Sequence, residues 1–167
     1  TRRSAKPQCR GANPLQASMK NETGCAFCEK ADARKRLIIE NDLAWSFPTY
    51  IPITSGHLLI CPQRCVATVD ELTREEILAI FDLMSKLKLA LQKTFGVDGF
   101  NYAWNEGKDA GKSVQHVHLH MVTRKKGYTV IYEYEPREFL YRPSRERPQS
   151  PTEALAEIVK LIQKNIV

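Results

Sequence analysis

The chain has 167 residues, 43% of them apolar, which suits one globular domain with a buried core. No apolar run approaches the roughly 20 residues of a membrane-spanning helix, so we expect a soluble protein that does not bind a membrane. The net charge of +6 favours an anionic partner such as a phosphate ester, a nucleic acid or an acidic surface. The cysteine count is odd, which argues against a disulfide framework and favours a reducing compartment, the cytoplasm.

The first segment of the chain is basic. Residues 1–20 contain arginine and lysine but no acidic residue, and Gly11 and Pro14 interrupt any periodicity. This composition predicts a disordered basic arm. An Arg-rich, acid-poor start is also compatible with an organelle transit peptide.

Strand and helix signals follow the arm. Three short strands are predicted at 37–40, 43–47 and 57–61, the first two joined by a tight turn at Asn41-Asp42. The segment Thr73-Arg74-Glu75-Glu76 is a capping box. Apolar residues then recur at helical spacing until Gly96, which predicts one long helix.

The second half of the chain adds two strands and a helix. Strands are predicted at 99–104 and 115–123, and residues 137–150 are rich in Arg and Pro and predicted to be irregular. The segment Ser150-Pro151-Thr152-Glu153 is predicted to cap a final helix. This order favours an α+β fold with a mostly antiparallel sheet. We divide the chain into the arm 1–20, a main domain 21–128 and a C-terminal extension 129–167.

Three of the four histidines stand in the run Gln115-His116-Val117-His118-Leu119-His120-Met121-Val122. In a strand this alternation places three imidazoles about 7 Å apart on one face and buries the aliphatic residues on the other. Such a concentration indicates chemistry on phosphate, on a metal or on protons. A His-x-His pair on a strand can also chelate a catalytic zinc ion.

This run resembles the signature of the histidine triad (HIT) nucleotide hydrolases and transferases. Residues 56–62 resemble the family's Gly-His-φ-φ-φ-x-Pro strand, residues 105–114 its Asn-x-Gly…Gly-Gln-Ser-φ loop, and residues 25–28 its Cys-x-Phe-Cys opening. The resemblance covers residues 24–128 and implies a HIT-like fold, with about five mainly antiparallel strands, one long helix and a C-terminal helix. It also implies a homodimer built through the long helix and the strand at 99–104.

The resemblance assigns the catalytic roles to the four histidines. It makes His118, the middle histidine of the run, the nucleophile, with the backbone carbonyl of His116 accepting a hydrogen bond from its ring. The free ring nitrogen would then attack the α-phosphorus and form a nucleotidyl-histidine that water hydrolyses. His120 and His57 would donate hydrogen bonds or a proton to the phosphate and the leaving group.

The resemblance also implies a substrate-binding set, in which two positions depart from the family pattern. Lys112 stands where the family usually has Gln, and a cation can contact phosphate but cannot accept a hydrogen bond. Thr49 stands where the family commonly has Asp or Asn, and a hydroxyl can bridge one ribose oxygen but not clamp two. Phe47 lines the nucleoside pocket or is simply a core residue. The candidate substrate-binding residues are Asn105, Gly107, Gly111, Lys112, Ser113, Thr49 and Phe47.

A structural zinc site is implied by the same resemblance. In zinc-bearing members the Cys-x-x-Cys pair is joined by a residue three positions after the strand-ending proline and by the first triad histidine. The ligands here would be Cys25, Cys28, Cys65 and His116, a closed Cys₃His set. The alternative is a group of reduced cysteines that lie near one another.

These observations support three hypotheses of function. The first is a nucleotide hydrolase that cleaves a dinucleoside polyphosphate or a nucleoside phosphoramidate at the α-phosphate and releases a nucleoside monophosphate. His120 favours the hydrolase branch, since the transferase branch typically has Gln there. The second is a nucleotide-binding adaptor with incidental turnover. The third is a basic nucleic-acid-binding protein, which the arm supports but no zinc finger or aromatic platform does.

Overall fold

A computed structural model of the protein describes residues 24–29, 31–125 and 149–166. Its sheet has five strands in the order β1-β2-β3-β5-β4, and each neighbouring pair is antiparallel. The strands are β1 Ile39–Glu40, β2 Ala44–Pro48, β3 Leu58–Pro62, β4 Gly99–Trp104 and β5 Leu119–Arg124. The helices are α1 Ala26–Glu29, α2 Ala31–Lys35, α3 Arg74–Phe95 and α4 Thr152–Lys164. The predicted α+β class with an antiparallel sheet is confirmed.

Helix α3 has the boundaries that its end signals predict. The Thr73 side chain accepts a hydrogen bond from the Glu76 backbone N–H, and the Glu76 carboxylate accepts one from Thr73 in return. The helix ends at Gly96, which is in the left-handed conformation with φ of 59°. Its buried face packs on the sheet and closes the main core, whose fully buried members include Ile80, Leu83, Leu87, Leu91, Leu58, Ile60 and Met121.

The opposite face of the sheet is covered by α1 and α2. Because side chains alternate along a strand, β2 and β3 send a second set of residues to this side. Trp45, Phe47, Leu59 and Cys61 form a separate buried cluster there with Ala33 of α2. Leu59 is paired with His120 across β3 and β5, so His120 lies on this second face as well.

The first hairpin is shorter than predicted. The Asn41 side-chain oxygen accepts from the Leu43 and Ala44 backbone N–H groups, at 3.1 and 2.8 Å, and so forms the predicted turn. Strand β1 begins at Ile39 instead of residue 37. The carbonyls of Leu37 and Ile38 accept hydrogen bonds from the Gln163 side chain of α4 instead of from a strand, both at 3.1 Å.

Helix α4 is also present as predicted, but its cap differs. Pro151 occupies the N-cap position and makes no side-chain capping bond, while the Ser150 N–H donates to the Tyr50 carbonyl at 2.8 Å. The prediction that the Ser150 segment caps this helix was therefore wrong. The helix packs Val159 and Ile162 into the main core with α3, and Leu155 is buried as well.

The fifth strand was predicted over residues 115–123 but begins at Leu119. The preceding residues leave the ladder because the Val117 N–H donates to the Val66 carbonyl, at 2.7 Å, in the loop after β3. Val117, Leu119 and Met121 are buried as predicted, but His116 and His118 between them are buried as well.

Predictions for the arm 1–20 and for residues 137–148 lie outside the described residues. No helix in the described ranges combines the length and the apolar character needed to cross a membrane.

The capping carboxylate yields a pH-dependent prediction. Hydrogen bonds from Arg64 are the main reason why the pKa of Glu76 lies below its usual value of 4.5. The stabilisation by this carboxylate is complete above the unfolded pKa and is lost as the pH falls through the lower native pKa. We expect Glu76→Gln to reduce the free energy of unfolding by about 1–2 kcal/mol at neutral pH and by less near pH 3. Urea unfolding at both pH values measures this, and an equal loss at both would contradict it.

Candidate functional site

The four histidines meet where β3 and β5 pair. His57 immediately precedes β3, and its Nε2 lies 3.0 Å from Nδ1 of His120 on β5. The ring centroids of His118 and His120 are 4.8 Å apart. His116 comes two residues before His118 and lies at a cluster of cysteines. The structure therefore brings together all four residues that were predicted to be catalytic.

The His118 imidazole is oriented by the backbone. Its Nδ1 lies 2.7 Å from the His116 carbonyl, which accepts only if Nδ1 carries the proton. The lone pair is therefore on Nε2. Burial lowers the pKa of His118 to about 4, against the opposing effect of the hydrogen bond to His116. The ring is thus uncharged at neutral pH, and the direction of the Nε2 lone pair is fixed.

The other two histidines form a chain of hydrogen bonds whose directions follow from one backbone contact. The Ile53 N–H donates to Nδ1 of His57 at 3.1 Å, so neutral His57 carries its proton on Nε2. That proton is donated to Nδ1 of His120, which leaves the His120 proton on Nε2. Nδ2 of the Asn105 amide lies 3.4 Å from this atom, so in this tautomer the amide has to be turned for its oxygen to accept. His120 therefore presents an N–H group towards the Asn105 side of the site.

Residues 105–113 form the loop between β4 and β5 that adjoins these histidines. Gly107 and Gly111 have φ of 78° and 80°, values that side chains with a Cβ rarely adopt. The turn is closed by hydrogen bonds from the Lys112 N–H to the Gly107 carbonyl, at 3.2 Å, and from Gly111 to Lys108, at 3.0 Å. Ser113 is exposed at the end of this loop. The four loop positions predicted to bind phosphate therefore share one turn with Asn105.

The two residues predicted to bind the nucleoside differ in exposure. Phe47 is 1% exposed, covered by Trp45 stacked at 4.5 Å and by the edge of Phe27 at 5.2 Å between ring centroids. It is a core residue in this structure. Thr49 lies in the half-exposed loop after β2, where its N–H donates to the His57 carbonyl at 3.3 Å.

A cluster of sulfur and nitrogen donors lies beside the triad. The ligand atoms of Cys25, Cys28, Cys65 and His116 all lie within 4.8 Å of one another. The Sγ atoms of Cys25 and Cys28 are 3.4 and 3.5 Å from Nδ1 of His116. Nε2 of His116 lies 2.9 Å from the Pro62 carbonyl, which fixes the proton on Nε2 and the lone pair on Nδ1, facing the sulfurs. All four residues predicted as metal ligands converge on one point, but Cys65 is disulfide-bonded in this structure, contrary to the expectation of reduced cysteines, and its sulfur can bind a metal only after reduction.

Comparison with known proteins agrees with this geometry. Residues 30–127 match the HIT domain family. The chain belongs to the HIT family. A bis(5'-adenosyl)-triphosphatase of Dictyostelium discoideum is 30% identical over 108 residues, which are 65% of this chain and 69% of that protein. An asymmetrical bis(5'-nucleosyl)-tetraphosphatase of Schizosaccharomyces pombe is 32% identical over 100 residues, 60% of this chain and 55% of that protein.

The fold has solved counterparts in the family. A Zn-bound histidine triad family protein from Mycobacterium smegmatis superposes with a TM-score of 0.63 at 23% identity, covering 84% of this chain and 91% of that one. Helix α4 lies beyond the residues that match the HIT domain.

Two residues of this HIT site were not predicted to act in it. Phe27 lies between the cysteines of the Cys-x-Phe-Cys segment, and its ring meets the His118 ring edge-on with centroids 5.3 Å apart. The Cys-x-Phe-Cys motif is the sequence signal that could have identified Phe27 as a site residue. Arg36 is 6% exposed, lies 3.7 Å over the Tyr50 ring and donates to the Pro48 carbonyl. Nothing in the sequence distinguishes this buried arginine from its exposed neighbours Arg34 and Lys35.

The ring contacts of His118 predict its tautomer. We expect a long-range ¹H–¹⁵N spectrum to show His118 as the neutral tautomer protonated on Nδ1, both at neutral pH and near pH 6. The reason is that its pKa is lowered to about 4, whereas an ordinary imidazole with a pKa near 6.5 is largely charged at pH 6. A His118 resonance that titrates near pH 6.5, or one protonated on Nε2, would contradict the described geometry.

Proposed function

We propose that this HIT protein is a nucleotide hydrolase that cleaves dinucleoside polyphosphates, or related nucleoside phosphoramidates, at the α-phosphate. The observation that carries the proposal is the bond from Nδ1 of His118 to the His116 carbonyl, which leaves a neutral Nε2 beside the His57–His120 pair. The names of the Dictyostelium and Schizosaccharomyces relatives support the same class of substrate. The triphosphatase activity of the first relative suggests a diadenosine substrate to begin with.

The first step is nucleotidyl transfer to His118. The Nε2 lone pair forms a bond to the α-phosphorus while the bond from that phosphorus to the bridging oxygen breaks, and the electron pair leaves with the oxygen. The imidazole becomes positively charged as the bond forms. The His116 carbonyl stabilises this charge through the Nδ1–H group, without any movement of the ring.

The second step is hydrolysis of the nucleotidyl-histidine. A water oxygen bonds to the phosphorus, the bond from phosphorus to Nε2 breaks with its electrons returning to His118, and the proton of the water is released. With diadenosine triphosphate, the sum of the two steps is conversion of the substrate and water to AMP and ADP. With a phosphoramidate, the amine nitrogen leaves and takes up a proton.

The remaining site residues serve the phosphate groups and the nucleoside. The His120 Nε2–H group and the Asn105 amide are suitably placed to donate hydrogen bonds to a phosphate oxygen or to the leaving oxygen. The turn from Gly107 to Gly111 and the Ser113 hydroxyl would complete the phosphate-binding loop. Thr49 would contact the ribose, and Phe47 would support the pocket from beneath.

We also propose that the cysteine cluster binds a structural zinc ion. In a tetrahedral site with Zn–S near 2.3 Å and Zn–N near 2.0 Å, the sulfur and nitrogen ligands lie roughly 3.5 Å apart. The distances of 3.4 and 3.5 Å from Cys25 and Cys28 to His116 match that value. With Cys65 reduced, four protein ligands would leave no open position, so the ion would hold α1 against the triad segment. Ligands of this kind suit a reducing, cytoplasmic location.

A homodimer is the proposed assembly. Strand β4 ends the described sheet, and Tyr102 on it is 40% exposed. Helix α3 exposes Ile77, Leu78 and Phe81, and Lys88 of the same helix lies over the Phe100 ring of β4. A second copy placed against this edge would bury these apolar side chains.

Intact-protein mass spectrometry after brief mixing with diadenosine triphosphate tests the mechanism. We expect a transient adenylyl adduct on the wild type and none on His118→Ala, whose turnover should fall by about 10³-fold or more. His120→Gln is the matched variant, because it keeps an N–H donor and should still form the adduct.

Two outcomes would contradict the proposed mechanism. If no adduct forms and a chelator abolishes turnover, the protein is a metal hydrolase. If neither an adduct nor turnover is found although nucleotide binds, the protein is a nucleotide-binding adaptor.

Metal analysis tests the zinc site. We expect about one zinc ion per chain in the wild type and much less in Cys25→Ser, with the free energy of unfolding reduced by at least about 3 kcal/mol. The control is Cys61→Ala, since Cys61 is a fully buried thiol outside the cluster. This variant should lose stability but keep its zinc. Wild-type zinc content in Cys25→Ser, or none in wild type refolded with zinc, would contradict the proposal.

A further inference from the structure

Lys112 places a positive charge beside the triad. Its Nζ donates to the Ala67 carbonyl in the loop after β3. The adjacent carbonyl, that of Val66, accepts from the N–H of Val117, which lies between His116 and His118. The lysine tip is therefore bound next to the segment that holds the nucleophile in place.

Lys112 is partly removed from water. Desolvation lowers its pKa, because part of its hydration shell is replaced by protein. A partly desolvated cation interacts more strongly with a nearby anion than a fully hydrated one does.

Carboxylates near Lys112 do not neutralise it. Glu106 and Glu71 raise its pKa, so they help to keep it charged. The Glu106 carboxylate is occupied by the Val69 N–H at 2.7 Å, and among the described residues Lys112 forms no ion pair with an acidic group. An ammonium group has three donors, of which the Ala67 carbonyl uses one. Charge and hydrogen-bond donors thus remain for a phosphate group.

We propose that Lys112 determines the leaving-group preference of this site and favours substrates whose leaving group is a polyphosphate over those that release a neutral amine. This inference rests on the proposed function. When the bridging oxygen departs it gains negative charge, which a nearby cation stabilises in the transition state. A departing amine takes up a proton and gains no negative charge, so the cation offers it no such advantage.

Lys112 could instead serve only to attach the loop to Ala67. In that case its loss would disturb the loop that contains Asn105 and Ser113 and would slow all substrates alike. The ratio of kcat/KM for two substrates with the same adenylyl group separates the two roles. A disturbed loop would lower kcat/KM for both substrates by the same factor and leave the ratio unchanged. An effect on the leaving group would lower kcat/KM for one substrate more than for the other and change the ratio.

The experiment compares diadenosine tetraphosphate, which releases ATP, with adenosine 5'-phosphoramidate, which releases ammonia. We expect Lys112→Gln to lower the ratio of kcat/KM, tetraphosphate over phosphoramidate, by about tenfold. Lys112→Met, which keeps the length of the side chain without its charge, should do the same. Lys112→Arg should keep the ratio within about threefold of wild type. The matched control is Lys108→Gln, an exposed lysine of the same turn, which should leave the ratio unchanged.

The outcomes separate this inference from the proposed function. If wild type cleaves neither substrate, the proposed function fails. If wild type cleaves both and the neutral variants at Lys112 keep the wild-type ratio, the proposed function stands and the inference is overturned. A fall in the ratio for Lys108→Gln equal to that for Lys112→Gln would also overturn it, because the effect would then arise from general surface charge.

Discussion

His116 connects the two halves of the site through three separate groups. Its Nδ1 faces the cysteine sulfurs, its Nε2–H donates to Pro62 at the end of β3, and its backbone carbonyl orients His118. The three contacts use three different atoms, so each restricts His116 in a different direction. The position of the His118 ring therefore depends on how firmly the cysteine cluster and the end of β3 hold His116.

The burial that orients His118 also lowers its basicity. Phe27 of α1 meets the ring edge-on, and burial of the ring is the main cause of its lowered pKa. A less basic nitrogen is a weaker nucleophile, but it is never blocked by a proton at neutral pH. Because Phe27 lies between Cys25 and Cys28, the segment that contacts the His118 ring also carries two of the candidate metal ligands.

The sequence predicts best those features that depend on local contacts. Helix α3 is delimited by Thr73, Glu76 and Gly96, whose effects act within one turn, and its prediction was confirmed. The start of β5 could not be predicted, because it depends on Val117 bonding to Val66, far away in the chain. For the candidate site, the motif residues come together as expected. The contacts of Lys112 with Ala67 and of Ser150 with Tyr50 depend on the assembled fold and carry no sequence signal.

Gln163 has a consequence for how the sheet can associate. By donating to the carbonyls of Leu37 and Ile38, helix α4 occupies the hydrogen-bonding groups where the edge strand β1 would otherwise continue. Within the described residues, the far edge at β4 has no such cover. A sheet that is open only at β4 can pair with one second copy through that strand. After this pairing neither copy has an open edge left for a third. The C-terminal helix thus limits how far the sheet extends at the β1 edge.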